Sequence, residues 1–214
     1  MLSRAMVRIL LYGDSLIAGY QHFHGPIESW APVLEHHLTQ ALGRPVAVAA
    51  HGVGGLTASA MLRHDGLRSE LHGTKFDAVC IHAGANDYMH AAAASTIAQD
   101  IAALHGLSRD AGAKAVSLGI PLGPGVGSSE GLTEVNQRIA SAGGADLFVD
   151  SAALMPYEQN KQLWSSDGVH LTEEGYSEWA RRMAGPLATL LRDAGGHAAH
   201  KGARRQKGEG PSML

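Results

Sequence analysis

Five short runs of apolar, often β-branched residues punctuate the chain: Val7 to Tyr12, Pro45 to Ala50, Phe76 to Ala83, Ala113 to Ile120 and Ala145 to Val149. Their hydrophobicity is nearly continuous rather than alternating, the pattern of strands buried on both faces. Helical segments lie between them in place of hairpin turns. Trp30, Val33, Leu34, Leu38 and Leu42 recur at helical spacing behind Glu28 and Ser29, and Gly43 stands where a helix would stop. Ile97, Ile101, Leu104 and Leu107 trace a second helix with Gly112 after it. Leu132, Val135 and Ile139 trace a third ending near Gly143 and Gly144, and Tyr176, Trp179, Met183, Leu187 and Leu190 a last one. A shorter helix is expected from Thr57 to about His64. Strands alternating with helices in this way predict a parallel sheet of five strands sandwiched between helix layers.

Two stretches break the pattern. Pro121 to Gly131, rich in proline, glycine and serine, reads as a loop after the fourth strand and a candidate pocket rim. Asp150 to Gly168, with Pro156 and Trp164, is an irregular approach to the last helix. From Gly195 onward apolar periodicity disappears, so residues 1–194 are expected to form one domain and residues 195–214 a disordered basic tail.

Composition narrows the class. At 214 residues, with 45% hydrophobic, 17% charged and 27 glycines, the chain suits one globular, loop-rich domain. The formal net charge of −3 hides an asymmetry. Lys201, Arg204, Arg205 and Lys207 against Glu209 make the tail +3, leaving −6 on the rest. An acidic body gives no electrostatic reason to expect nucleic acid as a partner. The single cysteine, Cys80, lies in an apolar run and reads as a small buried hydrophobe. The apolar run near the start is interrupted by Arg8 and too short for a signal core or a membrane span. A soluble, cytoplasmic protein without stable membrane insertion is therefore expected.

In a parallel α/β sheet the loops leaving the C-terminal ends of the strands converge, and ligands bind there. Here those loops carry Gly13-Asp14-Ser15-Leu16 after strand one, His51-Gly52-Val53-Gly54-Gly55-Leu56-Thr57 after strand two and Gly84-Ala85-Asn86-Asp87 after strand three. Asp167-Gly168-Val169-His170 leads into the last helix. Singly, each has an ordinary explanation: a helix cap for Ser15, a glycine turn for Gly52 to Thr57, a turn residue for Asn86, a helix-entry residue for His170. The glycine stretch fits neither the dinucleotide fingerprint nor the phosphate loop. Together the four blocks supply a nucleophile, oxyanion donors, a base and a carboxylate.

In this order the blocks resemble the signature of the GDSL, or SGNH, hydrolases, over about Val7 to Leu191. The resemblance implies a single three-layer α/β/α domain, flavodoxin-like, of about five mostly parallel strands. It also implies a serine esterase acting through an acyl-serine intermediate. Ser15 would be the nucleophile, His170 the base and Asp167 its orienting carboxylate, with the Ser15 amide, the Gly55 amide and the Asn86 side chain as oxyanion donors. Gly55 is preferred because family members place this glycine two before the threonine, as Gly55 stands to Thr57; Gly54 is the alternative. Gly13-Asp14-Ser15-Leu16-Ile17 lacks the last glycine of the Gly-x-Ser-x-Gly elbow, and the short Asp-x-x-His spacing argues against the α/β-hydrolase class. Such chemistry implies a small-molecule ester as substrate and neither cofactor nor metal.

Without an insertion long enough for a lid domain, an open pocket for short acyl groups is expected, bordered near Tyr88, Pro121 to Gly131 and Trp164 as substrate-binding positions. A thioesterase or lysophospholipase would use the same residues, and a non-catalytic binding module would keep only the fold. Asp14 and Asp87 read as partners of loop amides rather than a second acid pair. His22-x-His24 and Glu35-His36-His37 lack metal-ligand spacing.

Overall fold

The computed structural model describes residues 6–22, 27–142 and 144–202, with side chains described as far as 192. Its centre is a five-stranded, all-parallel sheet of β1 (Val7–Gly13), β2 (Val46–Gly52), β3 (Ala78–His82), β4 (Lys114–Leu118) and β5 (Leu147–Val149). The strand order is β2-β1-β3-β4-β5. All five expected strands are present within a few residues of their apolar runs. Parallel pairing requires a crossover after every strand, and the helices supply it: α1 (Ser15–Ala18), α2 (Ala31–Leu42), α3 (Ala58–Arg63), α4 (Gly66–Leu71), α5 (Ala85–Met89), α6 (Ala94–Asp110), α7 (Ser129–Ser141), α8 (Ser151–Leu154) and α9 (Glu173–Gly202).

The period-2 alternation of strand side chains divides the core into two layers. On one face Val7, Ile9 and Leu11 of β1 pack with Leu34 and Leu38 of α2 and Trp179, Met183 and Leu187 of α9. On the other face Leu10 and Tyr12 meet Met61 of α3, Leu67 of α4, Ile97 and Ile101 of α6 and Leu132 and Val135 of α7. Cys80 is fully buried, which pushes its thiol up to about 12. Truncating a side chain such as Leu34 in these layers is worth about 2–5 kcal/mol.

The last helix is described to Gly202, past the expected boundary at Ala194. Extending an established helix adds one backbone hydrogen bond for each residue it fixes and needs no new nucleus. The rest of the expected tail, residues 203–214, lies outside the described residues. No described helix is long and apolar enough to cross a membrane.

His105, on α6, is buried with neither ring nitrogen hydrogen-bonded among the described residues. Burial, helped by the Arg109 guanidinium and opposed by Asp146, lowers its pKa from 6.5 to about 4. The unfolded chain therefore takes up this proton at a higher pH than the folded one, and stability declines as pH falls through that window, by up to about 3 kcal/mol. We expect the Tm of the wild type to drop between pH 7 and pH 4.5 and His105→Leu to remove most of that drop. Thermal denaturation checks this; an unchanged slope in the variant would place the acid sensitivity elsewhere.

Candidate active site

Because β1 lies between β2 and β3, the three loops that follow these strands emerge side by side. The chain crosses to one side of the sheet after β1 and to the other after β3, so a crevice opens between their C-terminal ends. Ser15 follows β1 and begins α1. That four-residue helix is capped by Asp14, whose Oδ1 accepts from the Leu16 amide at 3.0 Å. The helix is held from below as well: Trp30 Nε1 donates to the Leu16 carbonyl at 2.8 Å, and the Tyr176 hydroxyl to the Tyr20 carbonyl at 2.6 Å. Trp30 is itself packed between Tyr176 and Trp179.

His170 reaches Ser15 from a part of the chain 155 residues away, its Nε2 lying 2.9 Å from Ser15 Oγ. Its Nδ1 lies 2.7 Å from Asp167 Oδ2, while Asp167 Oδ1 accepts from the amides of Val169 and His170, each at 2.9 Å. Partial burial raises the Asp167 carboxyl pKa. The His170 side chain and the two amides outweigh that, holding it below the usual carboxylate range. With a carboxylate accepting at Nδ1, the ring proton belongs on Nδ1, and Nε2 is left to accept from the serine hydroxyl. The Asp167 turn is braced by the rim loop, since Gly125 N donates to the Gly168 carbonyl at 3.0 Å.

Asn86 sits in α5, nearly buried, its Nδ2 donating to the Leu56 carbonyl at 3.1 Å and approaching Asp14 Oδ2 at 3.5 Å. Gly55 has φ +75° with open space on its Cβ side, whereas a Cβ on Gly54 would come within 3.1 Å of the Tyr20 ring. Asp87 accepts from the Ala58 amide at 2.8 Å and so ties α5 to the first turn of α3, a loop-amide bond of the kind the sequence suggested. Glu35 accepts from Val48 N, and His36 Nε2 lies 3.0 Å from Gln40 Nε2; His24 lies outside the described residues.

Of the two aromatics expected at the pocket border, Tyr88 and Trp164, only Trp164 sits differently from expectation. Tyr88 is tied to the rim loop, its hydroxyl 3.1 Å from Ser128 Oγ and its ring against Gly127 and Gly131. Trp164 is only 5% exposed and belongs to the core: it lies over Gly123, meets Tyr157 edge to face and pairs with Leu171 in an isolated bridge. Those contacts turn the indole inward, so a pocket-lining role for Trp164 is corrected to packing.

Several bordering residues carried no signal in the sequence. Tyr20 stacks on His170 with ring centroids 6.0 Å apart. Of the four large hydrophobic residues exposed among the described ones, three follow β1, β2 and β3: Ile27, Val53 and Met89. Ile27 is bridged to Tyr20, the Val53 amide donates to the Gly13 carbonyl at 3.0 Å, and Met89 stands one helical turn from Asn86. His82, at the end of β3, places Nδ1 3.1 Å from Asp14 Oδ1.

Similar folds occur among solved structures. TesA aligns over 86% of this chain and 99% of its own with 22% identity and a TM-score of 0.70. A Clostridium thermocellum family 3 carbohydrate esterase aligns over 89% and 99% with 21% identity and a TM-score of 0.71. The psychrotrophic esterase EstA of Pseudoalteromonas sp. aligns over 86% and 98% with 21% identity and a TM-score of 0.67. At these identities the likeness shows the fold. No curated protein matches the chain. Residues 11–178, from the middle of β1 into α9 and including all four sequence blocks, match the GDSL-like lipase/acylhydrolase family, to which the chain belongs.

Proposed function

We propose that the protein is a serine esterase hydrolysing short-chain carboxylic esters. The observation that carries this reading is the continuous hydrogen-bond chain from Ser15 Oγ through His170 to Asp167. In the proposed reaction Ser15 Oγ attacks the ester carbonyl carbon while His170 Nε2 takes its proton. The tetrahedral oxyanion is received by the amides of Ser15 and Gly55 and by the Asn86 side chain. The intermediate collapses, the alcohol leaves with the proton from His170, and the acyl group stays on Ser15. Water, deprotonated by His170, then releases the acid and restores the serine. Asp167 holds the ring in the required tautomer and stabilises the imidazolium formed in each half-reaction. This chemistry requires no cofactor. The esterase and carbohydrate-esterase neighbours support an ester substrate; in this proposal its alcohol is a sugar, an aryl or a simple alkyl group.

Ser15→Ala should abolish turnover of an activated acetyl ester with the melting curve preserved, and a fluorophosphonate should label the wild type at Ser15 alone. Asp167→Asn should lower kcat while KM moves little, because the carboxylate acts on charge that develops in the transition state. The serine-protease template loses about 10⁴-fold in this substitution, and a smaller loss is expected where water reaches the site. Retention of near wild-type turnover in Ser15→Ala would remove the reading.

The three exposed apolar side chains suit the first carbons of an acyl chain. Losing one such contact is worth about 1 kcal/mol, roughly fivefold in kcat/KM. Met89→Ser is therefore expected to lower kcat/KM for an aryl hexanoate about fivefold and to leave the acetate within about twofold. Equal loss on both esters, in a chain-length series, would show that Met89 does not touch the acyl group.

A further inference from the structure

We infer that His82 is a positioning residue for this site, acting through Asp14 to fix the side-chain amide of Asn86. The inference rests on the esterase reading for its catalytic consequence. His82 ends β3 directly beside Gly13, with which it is paired in register. It is fully buried, its ring meeting Trp179 edge to face with centroids 5.9 Å apart. A carboxylate only accepts, so the contact with Asp14 places a proton on His82 Nδ1. His82 Nε2 is buried and has no hydrogen-bond partner among the described residues. A leucine would fill this space without that orphaned nitrogen. What the imidazole adds is the Nδ1 donor.

That donor acts on a crowded carboxylate. Asp14, 1% exposed, takes the Leu16 amide and His82 Nδ1 on Oδ1, which turns Oδ2 toward Asn86 Nδ2. The Asn86 amide has two hydrogens. One is committed to the Leu56 carbonyl at 3.1 Å, and the other faces the longer, 3.5 Å contact with Asp14 Oδ2, which is the easier to exchange for a substrate oxyanion. Asp14 thus sets the plane of the amide. Its negative charge is drawn toward Oδ1 by two donors, away from the oxyanion that Asn86 would receive. Without the His82 donor, only the Leu16 amide restrains Oδ1, and the carboxylate can turn further toward Asn86 and compete for that hydrogen.

Two substitutions separate positioning from packing. His82→Leu keeps bulk and removes the donor; His82→Asn keeps an N–H near the place of Nδ1 and leaves a gap beside Trp179. We expect His82→Leu to lower kcat by about tenfold to 10²-fold, the scale of a misplaced catalytic group, with KM within about twofold. His82→Asn should melt below the wild type yet keep kcat within about threefold. The side-chain ¹⁵N–¹H signals of Asn86, assigned by their loss in Asn86→Asp, should move in His82→Leu and stay close to wild type in His82→Asn. Unmoved Asn86 signals in a folded His82→Leu would overturn the inference, as would activities that simply follow the melting temperatures of the two variants. If the wild type showed no Ser15-dependent turnover, the esterase reading would fall, and the Asn86 signals alone would decide the positioning role.

Discussion

Three backbones meet at the end of β1 too closely to admit a side chain. A Cβ on Gly13 would sit 2.2 Å from the His82 carbonyl oxygen, and one on Gly52 would sit 2.2 Å from the Ala18 amide nitrogen. Both obstacles are backbone, so neither can swing aside as a side-chain tip would. The glycines let α1 turn off the strand directly against β2 while β3 stays in register on the other side, and Ser15 emerges where those neighbours converge. Everything else at the site is placed relative to that turn. The Val53 amide caps the Gly13 carbonyl, Trp30 and Tyr176 hold α1 from the core, and α5 brings Asn86 up from β3. This explains how an open edge made of loops can present atoms at fixed positions: the loops are short and their first residues belong to the sheet.

The sheet was legible because buried parallel strands write themselves as apolar runs, and α2, α6 and α7 because they present one apolar stripe over three turns or more. α1 and α5, at four and five residues, are too short to show a period, although they carry Ser15 and Asn86; only the motif blocks marked them. Periodicity also says nothing about contacts at a separation of 155 residues, so the approach of His170 to Ser15 rested on the order of the blocks. His82 was invisible for the opposite reason. It ends an apolar run and reads as strand, and its partner Asp14 already had a local explanation as a partner of loop amides. Trp164 shows the converse failure: a large aromatic near a glycine-rich loop fits a pocket wall and a core equally well, and contacts with Gly123, Tyr157 and Leu171 decide for the core.

Two aspartate–histidine pairs flank Ser15, and their geometries differ in a way that bears on the proton transfer proposed for one of them. Burial does not separate the imidazoles, since His170 and His82 are 1% and 0% exposed. In both, Nδ1 faces a carboxylate, which fixes the ring and the tautomer in the same way. The difference lies at Nε2. In His170 it meets a serine hydroxyl 2.9 Å away, which in the proposed reaction gives a proton arriving there a donor to come from and a leaving group to go to. In His82 it meets no hydrogen-bonding group among the described residues, and a proton there would have neither. The carboxylates differ too. Asp167 takes its two amide bonds on the oxygen that does not face His170, leaving Oδ2 to His170 alone. Asp14 has His82 and the Leu16 amide on one oxygen, and its other is turned to Asn86. Under the proposed esterase reaction, the same pair of residue types therefore holds a proton still on one side of Ser15 and moves one on the other, and the contact at the far nitrogen and the sharing of the carboxylate oxygens together make the distinction.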